Sequence, residues 1–167
     1  MIQAVSEAGL MNGIGGAFAA GEKVTVGMFV TMLGRLHGVD VTEYTEISFV
    51  DVKAGDYFAP YVEWAAANGI SNGKGNGVFG VHDEISFERA VTLLARYAHF
   101  IGMDITAAAS LKQYADSDEV SDWAADAMAW AVAVGIYAPE AELNPQDSMT
   151  RLDTAKMFYA LMLTIAE

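Results

Sequence analysis

The stretch Ala65-Ala66-Ala67-Asn68-Gly69-Ile70 … Phe79 … Ile85-Ser86 holds a small-residue helix ending in Gly-Ile, a loop with one apolar residue, and a Ser that opens an apolar helix. The same plan occurs twice more, as Ala8-Gly9-Leu10 … Phe18 … Val24-Thr25 and as Val134-Gly135-Ile136 … Leu143 … Met149-Thr150. Gly9 to Gly69 is 60 positions and Gly69 to Gly135 is 66; Thr25 to Ser86 is 61 and Ser86 to Thr150 is 64. Tandem copies bury their core between units, so the fold and any binding groove belong to the set. Such an arrangement points to a recognition module rather than a one-pocket enzyme.

Copies two and three match further. Phe49-Val50-Asp51 parallels Tyr114-Ala115-Asp116, and Tyr57, Trp64 and Ala65 parallel Trp123, Trp130 and Ala131. The first copy lacks this opening segment, since Met1 falls inside what should be its first helix. Aromatics and alanines at helical spacing predict a helix over Tyr57–Asn68 and another over Ser121–Val134. Gly69 and Gly135 follow, where a helix C-terminus wants a left-handed residue. Thr25, Ser86 and Thr150 then offer side-chain oxygens as N-caps to second helices. The apolar stripes of these helices are expected in the core: Met28, Phe29, Met32, Leu33 and Leu36; Val91, Leu94, Ala95 and Ala98; Phe158, Leu161, Met162 and Ile165. With linkers over Val39–Ser48 and Met103–Lys112, the organisation is three units, 1–38, 47–102 and 111–167, in an all-α fold.

Composition sets outer bounds. A chain of 167 residues with 53% apolar residues and three Pro has the means to bury a substantial core. No apolar run approaches the ~20 residues of a membrane span, and the N-terminus has no signal-peptide pattern. Zero Cys excludes disulfides and thiolate metal sites without fixing the compartment. The formal charge of −13, from 22 acids against nine bases, argues against nucleic acid as a partner. An anionic ligand would have to be caught by a local cluster of donors.

Phe49-x-Asp51-Val52, the aromatic-x-x-x-Tyr/Trp-Ala helix, Gly-Ile, the Gly-rich loop with Phe79, and Ile85-Ser86 with its Ala/Leu-rich helix resemble the S-layer homology domain. The strings Ala65–Ile70 and Met28–Leu36 carry the likeness especially, and copies two and three are covered nearly end to end. The resemblance implies a pseudo-threefold bundle at the end of a bacterial surface protein, outside the cell. It also implies non-covalent binding of secondary cell-wall polysaccharide or a peptidoglycan-linked glycan, through pyruvylated sugars held between units. It implies no enzyme activity and no cofactor.

The family's signature at the second helix is Thr-Arg-Ala-Glu. Thr and the acid form a capping box. The Arg falls at the first helical position, against the macrodipole, and a bound anion would explain it. This chain keeps the pattern once, as Thr150-Arg151-Leu152-Asp153. Copy two reads Ser86-Phe87-Glu88-Arg89 and copy one Thr25-Val26-Gly27-Met28. Thr150 and Arg151 are therefore the expected ligand grip, and at most one groove is expected to be competent, with Arg89 a weaker candidate on another helix face. In Gly73-Lys74-Gly75-Asn76-Gly77, the backbone of Gly73, Gly75 and Gly77 and the cation of Lys74 suit a sugar carboxylate, or else a plain flexible turn. The matching segment of copy three, Tyr137-Ala138-Pro139-Glu140, has no Gly. Trp64, Trp123 and Trp130 suit pyranose stacking or core packing; Trp130 is taken as a ligand-binding candidate.

Other chemistry finds little footing. There is no G-x-G-x-x-G, G-x-S-x-G or Walker pattern. His37, His82 and His99 lack paired ligand spacing. Asp116-Ser117-Asp118-Glu119 with Asp122 lacks the Gly and Glu of a calcium loop and reads as turn and cap, as does Asp51. No catalytic or metal residue is assigned. A degenerate trimer serving as a structural or protein-contact domain is the rival reading, and the appendage of an enzyme a third. The incomplete first copy is expected to lower stability or to recruit a neighbouring chain.

Overall fold

The structure, a computed structural model, describes residues 1–167. Six α-helices follow one another: α1 (Ile2–Glu7), α2 (Val26–His37), α3 (Ala59–Ala67), α4 (Phe87–Phe100), α5 (Ala125–Ala133) and α6 (Arg151–Ala166). Short 3-10 turns lie at Val41–Glu43, Ser117–Glu119 and Asp122–Ala124. The fold is all-α; extended backbone pairs only at isolated antiparallel bridges. No helix is long and apolar enough to cross a membrane.

The recurring Gly closes each first helix. Gly9, Gly69 and Gly135 have φ of +71°, +68° and +76°, the left-handed residue that frees the chain to turn. Leu10 N–H donates to Val5 C=O and Ile70 N–H to Ala65 C=O, so two of the exits are Schellman turns. Leu10, Ile70 and Ile136 then drop into the core at 3% exposure or less. The sequence places the α3 start at Tyr57 and the α5 start at Ser121, both too early. Pro60 sits in the first turn of α3, which begins at Ala59. Ser121 is held outside the helix because the Glu88 carboxylate accepts from both its N–H and its hydroxyl at 2.9 Å.

The centre of the molecule is a ring of backbone hydrogen bonds joining the segments before α2, α4 and α6. Val24 N–H donates to Met149 C=O (3.1 Å), Met149 N–H to Ile85 C=O (2.9 Å), and Ile85 N–H to Val24 C=O (2.9 Å). All three side chains are buried. Each helix start then docks on another segment's loop. Val26 and Gly27 donate to Asp83 and Val81, Phe87 and Glu88 to Asp147 and Pro145, and Arg151 and Leu152 to Glu22 and Ala20. These carbonyls satisfy the first two orphan N–H groups of each helix, and the cap side chain takes the third. Thr25, Ser86 and Thr150 accept from Met28, Arg89 and Asp153, and Thr150 with Asp153 forms the full capping box.

Phe29, Met32, Leu33, Val91, Leu94, Ala98, Phe158 and Leu161 are buried as the periodicity predicts. Met28 (39% exposed) and Ile165 (40%) are corrections: both face outward, Met28 into a groove and Ile165 at the end of α6. The two linkers have little regular structure, yet Val39, Tyr44, Ile47, Met103, Ile105 and Leu111 pack against the core.

Asp51 and Asp116 are not local caps. Asp51 accepts from Phe79, Gly80 and Val81 N–H (2.8, 2.7 and 3.1 Å), and Asp116 from Leu143 and Asn144 N–H (2.7 Å each). Each ties the opening segment of its copy to the loop that follows the first helix. Burial alone would raise the Asp51 pKa, but the three N–H donors outweigh it and hold the carboxyl below its ordinary value.

Candidate functional site

Three grooves lie beside the starts of α2, α4 and α6, and corresponding positions line them. The groove at α4 encloses about 310 Å³ among Ser71, Gly73, Lys74, Arg89, Arg96 and Trp123. At α2, about 270 Å³ is lined by Met28, Arg35, Tyr57 and Arg151 among others. At α6, about 490 Å³ is lined by Glu140, Glu142, Asp153 and Lys156 among others. Met28, Arg89 and Asp153 occupy the same helix position, as do Arg35, Arg96 and Ala160; Tyr57 and Trp123 match across copies. The charge differs accordingly: the α4 groove holds three bases, the α2 groove two, and the α6 groove three acids against one base.

The α4 groove gathers Gly73, Lys74 and Arg89, three of the residues the sequence singles out. Gly73 is fixed by close approach as well as by φ (+73°), because a Cβ there would lie 2.6 Å from Val78 C=O. The loop is an ordered turn: Lys74 N–H donates to Val78 C=O (2.8 Å) and Val78 N–H to Gly75 C=O (3.0 Å). Gly75 and Gly77 serve that turn and do not line the groove; Gly77 C=O accepts from Val50 N–H. Lys74 Nζ pairs with Asp83 at 2.9 Å, both groups roughly half exposed, so the pair is worth little and yields readily to a ligand. Arg89 donates through Nη2 to Phe79 C=O (3.2 Å) and approaches Asp83 at 3.8 Å. Burial lowers its pKa below the ordinary value, and Asp83 pulls the other way.

Arg96 completes the set and was not among the sequence candidates. It lies seven residues after Arg89, two turns along the same face of α4, and is exposed without an ion pair or side-chain hydrogen bond. The repeat register carries the signal, since Arg35 stands 61 positions earlier in the equivalent groove. Trp123 is 57% exposed on the opposite wall, whereas Trp64 (2%) and Trp130 (1%) are core. That corrects the choice of Trp130 as a stacking face: its ring is closed in among α4 and α5, and Trp123 supplies the open one.

Arg151 lies elsewhere, in the α2 groove. Its Nε donates to Phe18 C=O (2.8 Å), its Nη2 to Asn12 C=O, and its guanidinium sits 5.1 Å from the Phe18 ring centroid. It forms no salt bridge. An anion held at the α6 N-terminus is corrected too. Arg151, Leu152 and Asp153 N–H already donate to Glu22 C=O, Ala20 C=O and the Thr150 hydroxyl, so no free N–H cradle remains. The Thr150 hydroxyl is likewise engaged with Asp153 at 2.7 Å.

The fold is an all-α bundle with grooves beside the starts of α2, α4 and α6. The sequence model of the S-layer homology domain matches residues 48–88 and 113–155, half of the chain. The chain belongs to the S-layer homology domain family, a non-catalytic anchoring module of cell-surface proteins. It is 28% identical over 141 residues to the amylopullulanase of Thermoanaerobacterium thermosulfurigenes, covering 83% of this chain and 8% of that protein. It is 25% identical over 151 residues to an endoglucanase of Bacillus sp. (strain KSM-635), covering 89% of this chain and 16% of that enzyme. To the exoglucanase XynX of Acetivibrio thermocellus it is 28% identical over 141 residues, 83% of this chain and 13% of that protein. The chain therefore spans no more than 16% of the length of these relatives.

Proposed function

We propose that the chain is a trimer of S-layer homology units, 1–38, 47–102 and 111–167, arranged with pseudo-threefold symmetry, that anchors a larger protein to the bacterial cell wall. Its ligand is an acidic glycan of the secondary cell-wall polysaccharide type, with a pyruvylated sugar as the residue gripped. The cyclic hydrogen bonds of Val24, Ile85 and Met149 support the trimer. The relatives, which are far longer and carry the names of polysaccharide-degrading enzymes, support the role of anchoring portion.

One observation carries the assignment of the groove. In a chain of charge −13, three of nine bases converge at the α4 groove, facing an exposed Trp. Lys74, Arg89 and Arg96 supply the local positive field that an anion needs, and Arg96 is free to fork onto a carboxylate. Trp123 offers a flat face to the C–H side of a pyranose. The Arg151 groove is the second reading, favoured by Arg35 and the 55% exposed Tyr57, whose pKa is raised by burial and lowered by Arg35. Arg151 itself acts there as a clamp on the Asn12 and Phe18 carbonyls.

Retention on purified cell-wall sacculi separates the possibilities. Arg96→Ala and Trp123→Ala should each cut retention about tenfold or more, while Arg151→Ala should lower stability and leave retention per folded molecule unchanged. Retention lost only with Arg151→Ala would move the site to the α2 groove. No retention by the native chain would favour a purely structural or protein-contact role.

A further inference from the structure

Next to the cationic groove, α4 and α5 leave a second opening of about 540 Å³ that shares Thr92, Arg96 and Trp123 with it. The equivalent helix pair α2–α3 differs at its centre. There Tyr61 packs on Gly34 so closely that an added Cβ would collide with the ring. Ala95 and Ala127 stand in place of Gly34 and Tyr61 in the α4–α5 pair, so no side chain fills the space between Asn68, Trp123, Asp126 and Trp130. The opening is a consequence of one aromatic being replaced by one methyl.

Its lining selects a chemistry. Ala95, Ala127, Ile105 and the rings of Phe100 and Trp123 give apolar walls. The polar groups are Asn68, Thr92, Arg96, His99 and Asp126: the Thr92 hydroxyl is spent on Glu88 C=O, the exposed Asp126 forms no ion pair, and Asn68 uses its amide N–H on Trp64 C=O, leaving its oxygen as an acceptor. Carboxylate and amide acceptors beside an aromatic face suit the hydroxyls and C–H face of a neutral pyranose. Here the one acid, Asp126, stands against the one Arg, the shared Arg96, so the opening lacks the excess of positive charge that Lys74 and Arg89 give the adjoining groove. We infer that this opening is a subsite for an uncharged hexopyranose joined to the acidic sugar, so that the α4 face reads a disaccharide with its charge at one end. The inference rests on the glycan-binding reading of the adjoining groove.

The test compares two probes by isothermal titration: the methyl glycoside of a 4,6-O-(1-carboxyethylidene) hexopyranose, and the same residue linked through its anomeric carbon to an uncharged hexopyranose (3- and 4-linked forms). On the native chain the better disaccharide should bind about tenfold tighter than the monosaccharide, the effect of one additional stacked and hydrogen-bonded ring. Ala127→Tyr restores the side chain found in the other helix pair; it should abolish the disaccharide's advantage and leave monosaccharide affinity unchanged. Asp126→Ala, a change at an exposed residue in the first turn of α5, should reduce the advantage several-fold. The Trp130 indole N–H, buried without an acceptor against this opening, should shift in its NMR spectrum with the disaccharide and stay still with the monosaccharide. Equal affinities on the native chain, or an advantage that survives Ala127→Tyr in a folded protein, would overturn the subsite alone. A native chain that binds neither probe would overturn it together with the acidic-sugar reading.

Discussion

Asp51→Asn is an isosteric change whose cost follows from three hydrogen bonds. One carboxylate oxygen accepts from Phe79 N–H and the other from Gly80 and Val81 N–H. An amide keeps one acceptor oxygen. In its better orientation that oxygen retains Gly80 and Val81, and the new NH₂ confronts the N–H of Phe79, a fully buried residue. An orphaned buried donor costs about 1–3 kcal/mol. The two surviving bonds also lose their charge assistance, which roughly halves them. The sum is about 2–4 kcal/mol, a large part of a typical domain's stability. Urea unfolding at pH 7, followed by Trp fluorescence, should show a lower midpoint at unchanged slope. Because the folded-state pKa of Asp51 lies below its unfolded value, its contribution is fully present above the unfolded pKa near ~3.9 and is lost as pH falls through the folded pKa. The gap between native and variant should therefore shrink toward acid. A loss below about 0.5 kcal/mol at pH 7, or a gap that widens on acidification, would refute the reasoning.

Two further substitutions probe the packing and the caps. Gly34→Ala gains about 1 kcal/mol of helix propensity but drives a methyl into Tyr61, an overpacking cost of about 1–3 kcal/mol. It should destabilise the native chain and turn stabilising in a Tyr61→Ala background, a sign reversal that a double-mutant cycle by urea unfolding detects. Thr150→Ala removes the capping box and should cost about 1 kcal/mol, with Asp153→Ala adding little on top because the two residues satisfy each other. Full additivity of that pair in thermal unfolding would contradict the box as one unit.

The fold was legible because each repeated residue has a local reason to be there. Gly9, Gly69 and Gly135 carry the left-handed turn, the cap residues offer a short side-chain oxygen to an orphan N–H, and the ring residues Val24, Ile85 and Met149 are apolar and buried. The α5 start is misplaced because Ser121 is held by Glu88, 33 residues away, a contact with no trace in local periodicity, whereas Pro60 in the first turn of α3 is a local signal that the aromatic spacing overrides. Asp51 and Asp116 hid their role for the same reason: an Asp before a helix reads as a cap until the chain closes on its loop. Of the α4 groove, Gly73, Lys74 and Arg89 can be singled out from the sequence because a Gly-rich loop and scarce bases mark them. Arg96 is missed because it looks like an ordinary surface Arg, and Trp123, weighed for stacking beside Trp64 and Trp130, is not preferred because nothing local separates an open ring from a core one. Only the register of the copies sets them across one groove.

The grooves differ in their side chains while the loops beside them are held in the same way. The carbonyls of Phe18, Phe79 and Leu143 occupy matching loop positions, and each receives a side-chain donor, but from three different residues: Arg151 Nε, Arg89 Nη2 and the Tyr137 hydroxyl. Burial, reinforced by Asp153, Asp116 and Asp147, keeps the Tyr137 phenol protonated and donating. The loop needs a donor at that spot, not a particular residue. An Arg that matches the family's signature is thus bound to the Asn12 and Phe18 carbonyls in the α2 groove, while an Arg outside the signature, Arg96, has no ion pair or side-chain hydrogen bond, as the proposed grip requires. Matching a motif locates a position in the fold; the hydrogen-bond ledger of that position decides whether any donor is left for a sugar.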